Sequence, residues 1–144
     1  MLPQKQLLVL SELRKNSRQH LSEIANKYSI PNSTVFDNYK LISRFIDRYV
    51  TLIDFEKLGY SLRMNFIFRM KNNEIIDFLH KQKNINSIHK INNKHTLLVD
   101  CLFRNIKEVY ELKELLQDKG VRKIGMIHII DEIKNEKFLA GSKN

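Results

Sequence analysis

Between Leu21 and Ile42 the apolar positions are Leu21, Ile24, Ala25 and Tyr28, then Ile30, then Val35, Tyr39 and Ile42. Steps of three and four on both sides of an interruption predict two short helices that share one core. Ser29-Ile30-Pro31 supplies the interruption. Proline has no N–H with which to continue a helix, and it steers the preceding residue away from helical backbone. Ala25 is small enough to let the two helices approach closely. Upstream, Leu7, Leu10 and Leu13 mark a stripe on a further helix from about Pro3 to Lys15. A helix pair alone cannot bury its apolar face, so the pattern predicts a trihelical unit containing a helix-turn-helix.

Beyond Ile42 the period changes from helical to alternating, which marks a second unit. Phe45 to Ile53 reads as an extended connection. Met64, Phe66, Phe68 and Met70 then alternate with Arg63, Asn65, Ile67 and Arg69, as in a strand with one face on a core. Asn73 to Lys83 carries Ile75, Ile76 and Leu79 at helix spacing, with Asn72 or Asn73 placed to cap its start. Two strand-like runs, Ile85 to Ile91 and His95 to Phe103, flank the hairpin composition Asn92-Asn93-Lys94. A helix from about Ile106 to Lys119 follows, and Gly120 stands where a helix end favours left-handed backbone. Val121 to Ile133 reads as a last strand.

The resulting order is the split βαβ arrangement, an antiparallel sheet with helices on one face, and the fold class is α+β. The sheet's other face would carry Leu98 and Leu102, or Ile127 and Ile129, depending on register. An apolar uncovered face of this kind predicts a homodimer.

A helix lying in the major groove must present hydrogen-bonding side chains opposite its core stripe. Asn32, Ser33, Thr34, Asp37, Asn38 and Lys40 of the third helix meet that requirement. The competing reading is an ordinary solvated face, on which Asp37 would repel phosphate. Composition bears on the choice: 25 Lys and Arg against 16 Asp and Glu give a formal charge of +9, which favours a polyanionic partner. The excess is only modestly denser in the first 50 residues, with eight basic and four acidic side chains, so charge supports the motif without selecting the polyanion.

Cys101 is the only cysteine, which rules out an intramolecular disulfide, and its apolar setting predicts a small buried side chain. No apolar run is long enough to span a bilayer, and the first residues lack the sections of a signal peptide, so the expected location is the cytoplasm. His20, His80, His89, His95 and His128 are scattered without zinc-ligand spacing, and no Gly-rich phosphate loop is present. Asp77, Asp100, Asp131 and Glu132 read as solvated charges. No catalytic residue, metal or cofactor is assigned, and the protein reads as a non-enzyme.

Four stretches, in order, resemble the Lrp/AsnC family of transcription regulators. Leu21-Ser22-Glu23-Ile24-Ala25 looks like the family's second helix, and Pro31-Asn32-Ser33-Thr34-Val35 like the start of its recognition helix, with Tyr39, Lys40 and Ile42 following. Ile53-Asp54-Phe55-Glu56-Lys57-Leu58-Gly59-Tyr60 is similar to the segment leading into the effector domain, and Gly120-Val121-Arg122-Lys123 to the approach to the last strand. The resemblance implies a (winged) helix-turn-helix DNA-binding domain at residues 1–44 and a connecting strand at 45–60. It further implies a βαββαβ ferredoxin-like dimerisation and effector domain of RAM/AsnC type at 61–138, then a flexible tail at 139–144. Double-stranded DNA, a homodimer through the C-terminal sheet, frequent octamers and an amino-acid effector bound between dimers are the implied partners.

Under this resemblance the DNA-contacting set is Ser22, Asn32, Ser33, Thr34, Phe36, Asp37, Asn38, Lys40 and Arg44, and the effector set is Asn93, Lys94, His95 and Thr96. The chain departs from the family at three places. Ser29 stands where the turn usually carries glycine, and Asp37 and Asn38 stand where basic residues are common. Asn38 is suited instead to an adenine edge. Asn93 and Thr96 replace the ends of a Gly-x-x-Asp effector loop, removing the carboxylate that would meet an amino group. Two alternatives stay open: an interaction module of the same fold that does not read DNA, and a siroheme-decarboxylase-like enzyme using His128, Arg122 and Lys123.

Overall fold

The computed structural model describes residues 1–92 and 95–141. The first unit is built on α1 (Gln4–Lys15), α2 (Leu21–Tyr28) and α3 (Asn32–Ser43). Val9, Leu13, Ile24, Ala25, Val35 and Ile42 form its buried core, with Leu10, Leu21, Ile30 and Tyr39 packed around it. The face that α1 buries is Val9, Glu12 and Leu13 rather than the stripe through Leu7. A count of apolar positions misses that face because a carboxylate occupies its middle.

Glu12 is only 2% exposed. Its two carboxylate oxygens accept hydrogen bonds from Lys15 Nζ at 2.6 Å, Lys27 Nζ at 2.9 Å and the Tyr28 hydroxyl at 2.7 Å. The Gln19 amide donates to its backbone carbonyl. Tyr28 therefore sits at the rim with its hydroxyl on Glu12, not in the apolar core where its spacing put it. Burial alone would push the Glu12 pKa up, but the hydrogen bonds from Lys15, Tyr28 and Lys27 outweigh it and hold the value at about 2.

Residues 133–141 belong to this first unit. Arg14 Nε donates to the Phe138 carbonyl at 3.0 Å, while Nη2 reaches the Glu136 carbonyl at 3.2 Å and its carboxylate at 3.1 Å. Ala140 is 5% exposed, and a Cβ added at Gly141 would stand 2.9 Å from Ser11 Oγ. The tail expected to be loose from residue 139 is thus packed on α1 as far as Gly141, held by Arg14 and close backbone approach. Its remaining residues, 142–144, lie outside the described ones.

Residues 46–54 form neither helix nor strand, so the connecting strand expected within 45–60 is not paired; a single turn of 3-10 helix, Glu56–Leu58, follows. The second unit, Ile53–Glu132, contains β1 (Leu62–Arg69), α4 (Glu74–His80), β2 (Ile85–Ile91), β3 (Thr96–Phe103), α5 (Ile106–Asp118) and β4 (Gly125–Ile129). The sheet order is β2-β3-β1-β4, and every neighbouring pair is antiparallel. Met64, Phe66 and Phe68 of β1 and Leu97, Val99, Cys101 and Phe103 of β3 pack with Ile75, Leu79, Val109, Leu112 and Leu116 of the two helices. Each fully buried side chain of this size contributes roughly 1.5–3 kcal/mol.

Element ends are set by local hydrogen bonds. Asn72 Oδ1 accepts from the Glu74 N–H at 3.2 Å at the start of α4, and Asn105 Oδ1 does the same for Glu108 at 3.1 Å in α5. Gly120 ends α5 with φ at 87°, which lets the Val121 N–H bond back to Leu116 at 3.0 Å. The last strand is shorter than Val121 to Ile133 because its pairing with β1 extends only over Arg63 to Ile67.

On the helix-free face, β3 sets Leu102, Asp100 and Leu98 opposite Arg63, Asn65 and Ile67, while β4 sets Ile129 and Ile127 opposite Arg63 and Asn65. Both of the expected apolar pairs therefore lie on one face. Between them Arg63 grips the Asp100 carboxylate through Nε and Nη2, each at 2.9 Å, and Asn86 Nδ2 adds a third donor at 2.9 Å. Arg63 also bonds Glu132. Asn65 Oδ1 is buried with no hydrogen-bond partner among the described residues.

The Glu12 network predicts a specific acid response. Its carboxylate is held below the usual 4.5, so its contribution is complete above that pH and is lost as pH falls toward 2. Glu12→Gln should lower stability at neutral pH by on the order of 2–3 kcal/mol and flatten this acid slope. Thermal unfolding followed by circular dichroism between pH 2 and pH 7 is the measurement. A variant that melts with the wild type at neutral pH would remove Glu12 from this role.

Candidate nucleic-acid interface

The turn between α2 and α3 is made by a left-handed serine. Ser29 has φ 53° and ψ 44°. The Ser29 N–H points to the Asn26 carbonyl at 3.4 Å and the Ile30 N–H to the Ala25 carbonyl at 3.0 Å. These two bonds close a Schellman motif, which explains why a glycine-like residue is wanted there. Ile30 is thereby laid onto the core. Pro31 fixes the entry to α3 with φ at −56°, and its carbonyl accepts from Thr34 and Val35 at 3.0 and 3.2 Å. No side chain caps this start, so the Asn32 and Ser33 N–H groups precede the first intrahelical bond.

With Val35 and Ile42 buried, α3 turns Asn32, Ser33, Phe36, Asp37 and Lys40 to solvent, and Arg44 follows just past its end. Ser22 is exposed at the start of α2, where Glu23 accepts from the His20 N–H at 3.2 Å. Thr34 and Asn38 are half-buried, and Asn38 Nδ2 donates to the Thr34 carbonyl at 2.7 Å. A bidentate contact from Asn38 to an adenine edge would require that bond to be exchanged. Asp37 forms no ion pair among the described residues.

Two contacts on this surface were not anticipated from the sequence. The Lys40 ammonium lies 4.6 Å from the centroid of the Phe36 ring, and the Arg44 guanidinium 4.7 Å from that of Phe45. Phe36 and Lys40 are four residues apart on one helix, and that spacing was the available signal. The Tyr39 and Tyr49 hydroxyls meet at 3.3 Å, and burial, then Tyr39, pushes the Tyr49 pKa up to about 12.

Of the effector candidates, Asn93 and Lys94 lie outside the described residues. The His95 carbonyl accepts from the Met70 N–H at 2.7 Å, and Thr96 pairs with Arg69 of β1 and Ile91 of β2. Arg122 and Lys123 line a cavity that does not include His128, so the three residues weighed for a tetrapyrrole do not converge. Cys101 is fully buried, and burial, reinforced by Asp100, pushes its thiol up to about 12. Among the described residues no three His, Cys, Asp or Glu side chains gather as a metal ion would need. None of the described helices is long and apolar enough to cross a membrane.

The strained turn yields a stability test. Ser29→Gly should raise the denaturant midpoint by the equivalent of about 0.5–1 kcal/mol, because a left-handed Cβ is removed at a site already committed to that conformation. A lower midpoint in Ser29→Gly would show that the serine makes a compensating contact.

No protein-family model and no curated protein matches the sequence. Solved structures do match the fold. LrpC of B. subtilis superposes with a TM-score of 0.81 at 19% identity, over 93% of this chain and 98% of that one. A transcriptional regulator of Neisseria meningitidis, solved in complex with L-Met, gives 0.78 at 19% identity over 94% of each chain. AsnC of E. coli gives 0.77 at 10% identity, over 94% of this chain and 96% of that one. Over more than 90% of its length, this chain has the fold of the Lrp/AsnC transcriptional regulators.

Proposed function

We propose that the protein is a sequence-specific DNA-binding transcriptional regulator. The observation that carries the reading is the exposed surface of α3, where an uncapped helix start, polar side chains and two cations share one side of a helix-turn-helix. Lys40 and Arg44 supply phosphate contacts, and Asn32, Ser33 and the Thr34–Asn38 pair supply candidate base contacts. Phe36 holds the Lys40 chain over its ring and offers an apolar surface for a thymine methyl. Exposed Asp37 limits phosphate affinity, so base contacts carry a larger share of recognition.

The regulator acts as a homodimer, and in larger assemblies built from dimers, through the helix-free face of the sheet. Leu98, Leu102, Ile127 and Ile129 give that face its apolar area, and the orphaned Asn65 oxygen calls for a donor that the described residues do not provide. A dimer matches the two-fold symmetry of paired half-sites. A small-molecule effector at the end of the β2–β3 hairpin modulates it in the cytoplasm. One structural neighbour is a transcriptional regulator solved in complex with L-Met, and another is an AsnC family transcriptional regulator.

Selection of bound genomic fragments, followed by gel shifts across a salt series, tests this reading. A palindromic site whose affinity falls steeply with salt is expected. Lys40→Ala should weaken binding to all sequences and reduce the salt slope by about 0.9 per half-site, whereas Asn38→Ala should relax preference at one or two base positions. Equal affinity for every duplex at physiological salt would leave the fold as an interaction module that does not read DNA.

A further inference from the structure

In the second unit, three parts of the chain converge on one cationic cavity of about 350 Å3. The end of β1 brings Arg69 and Lys71, the start of β3 brings His95, and the link from α5 to β4 brings Arg122 and Lys123. Met70 lies between the first two and is buried, while the four long cationic side chains are exposed. Gly120 turns the chain with φ at 87° beside Lys71, whose ammonium would be in ordinary contact, at 3.5 Å, with a Cβ placed there.

Like charges gathered in this way repel, and elsewhere the chain relieves such repulsion with carboxylates: Arg63 has Asp100 and Glu132, and Lys15 and Lys27 share Glu12. Here no described carboxylate forms a salt bridge with Arg69, Lys71, Arg122 or Lys123, and no acidic residue lines the cavity. The volume falls in the range of about 300–1,000 Å3 typical of small-ligand pockets. An amino acid would find donors for its carboxylate but nothing anionic for its ammonium group.

We infer that this cavity binds a small polyanion, a metabolite bearing at least two phosphate or carboxylate charges. The guanidinium groups of Arg69 and Arg122 suit bidentate contact with such oxygens, and Lys71 and Lys123 add point charges. The inference names the ligand class for the effector part of the function proposed above, and rests on that reading only for its regulatory meaning. Binding itself does not depend on DNA recognition.

Calorimetric titration of the full chain with pyrophosphate, citrate and methionine at fixed ionic strength tests it. Pyrophosphate or citrate should bind at one site per chain, the stronger of the two naming the oxygen group, and methionine should not bind. Arg122→Gln and Lys71→Gln should each weaken that binding about tenfold. Lys107→Gln, on the solvent side of α5, should leave it unchanged. Equal weakening in Lys107→Gln would mean general attraction to a basic protein and overturn the site. Tighter binding of methionine would overturn the ligand class. Loss of duplex affinity in Arg122→Gln with no pyrophosphate binding would reassign the patch to the nucleic-acid backbone. The titration contains no DNA, so failure here and failure of the regulator reading are separate outcomes.

Discussion

The first unit depends on one buried carboxylate. Three short helices of eight to twelve residues cannot hold themselves in water, because helix nucleation is costly and each exposes most of its backbone when alone. Apolar burial draws them together without fixing how far they slide or rotate. Glu12 fixes it: one side chain on α1 is met by a lysine on its own helix and by Lys27 and Tyr28 at the far end of α2. The same turn of chain leads through Ser29 and Pro31 into α3, so the direction of the exposed helix follows from where α2 ends. A shift in the Glu12 contacts would re-aim every side chain that α3 presents.

The second unit solves a different problem, which is how to keep an antiparallel sheet with one helix-covered face in a single register. A slip by one residue would exchange the faces of every side chain. Alternating Met64, Phe66 and Phe68 against Leu97, Val99 and Cys101 opposes a slip on one side. On the other side Arg63 and Asp100 lie in neighbouring strands, and only the observed pairing brings them into a bidentate contact. Charge pairing in the middle of the helix-free face also limits what can cover it, since a partner must leave that ion pair intact and satisfy Asn65.

Much of this was legible in the residues. Among the described residues periodicity placed five α-helices and four strands in order, and glycine, asparagine and proline marked most of their ends. The failures share a cause: polar atoms in places that an apolar count treats as surface. Glu12 concealed the buried face of α1, and Tyr28 was read as core because its ring, not its hydroxyl, was counted. Arg14 reaching backbone carbonyls 122 and 124 residues away could not be read from any local window, so residues up to 138 were assigned to the sheet domain and those from 139 to a loose tail. In the candidate interface, exposure followed from helix phase, but the Asn38 side chain bonding its own helix is a rotamer choice that sequence does not encode. The cationic cavity was missed because Arg69, Lys71, Arg122 and Lys123 are dispersed along the chain and unite only through the sheet order.

The return of residues 133–141 to α1 makes the first unit discontinuous in sequence. Its helices are synthesised before the sheet domain, yet Arg14 waits for the Phe138 carbonyl, and the side of α1 around Ser11 and Lys15 waits for Gly141. Closing so long a loop carries an entropic cost and puts distant contacts into the folding of an otherwise local, fast-forming helical bundle. During synthesis the helix-turn-helix is therefore an incomplete bundle until the whole sheet domain has been made. Its final assembly is timed by a segment that lies beyond that domain, so the exposed surface of α3 would reach its finished form only after the helix-free face of the sheet exists.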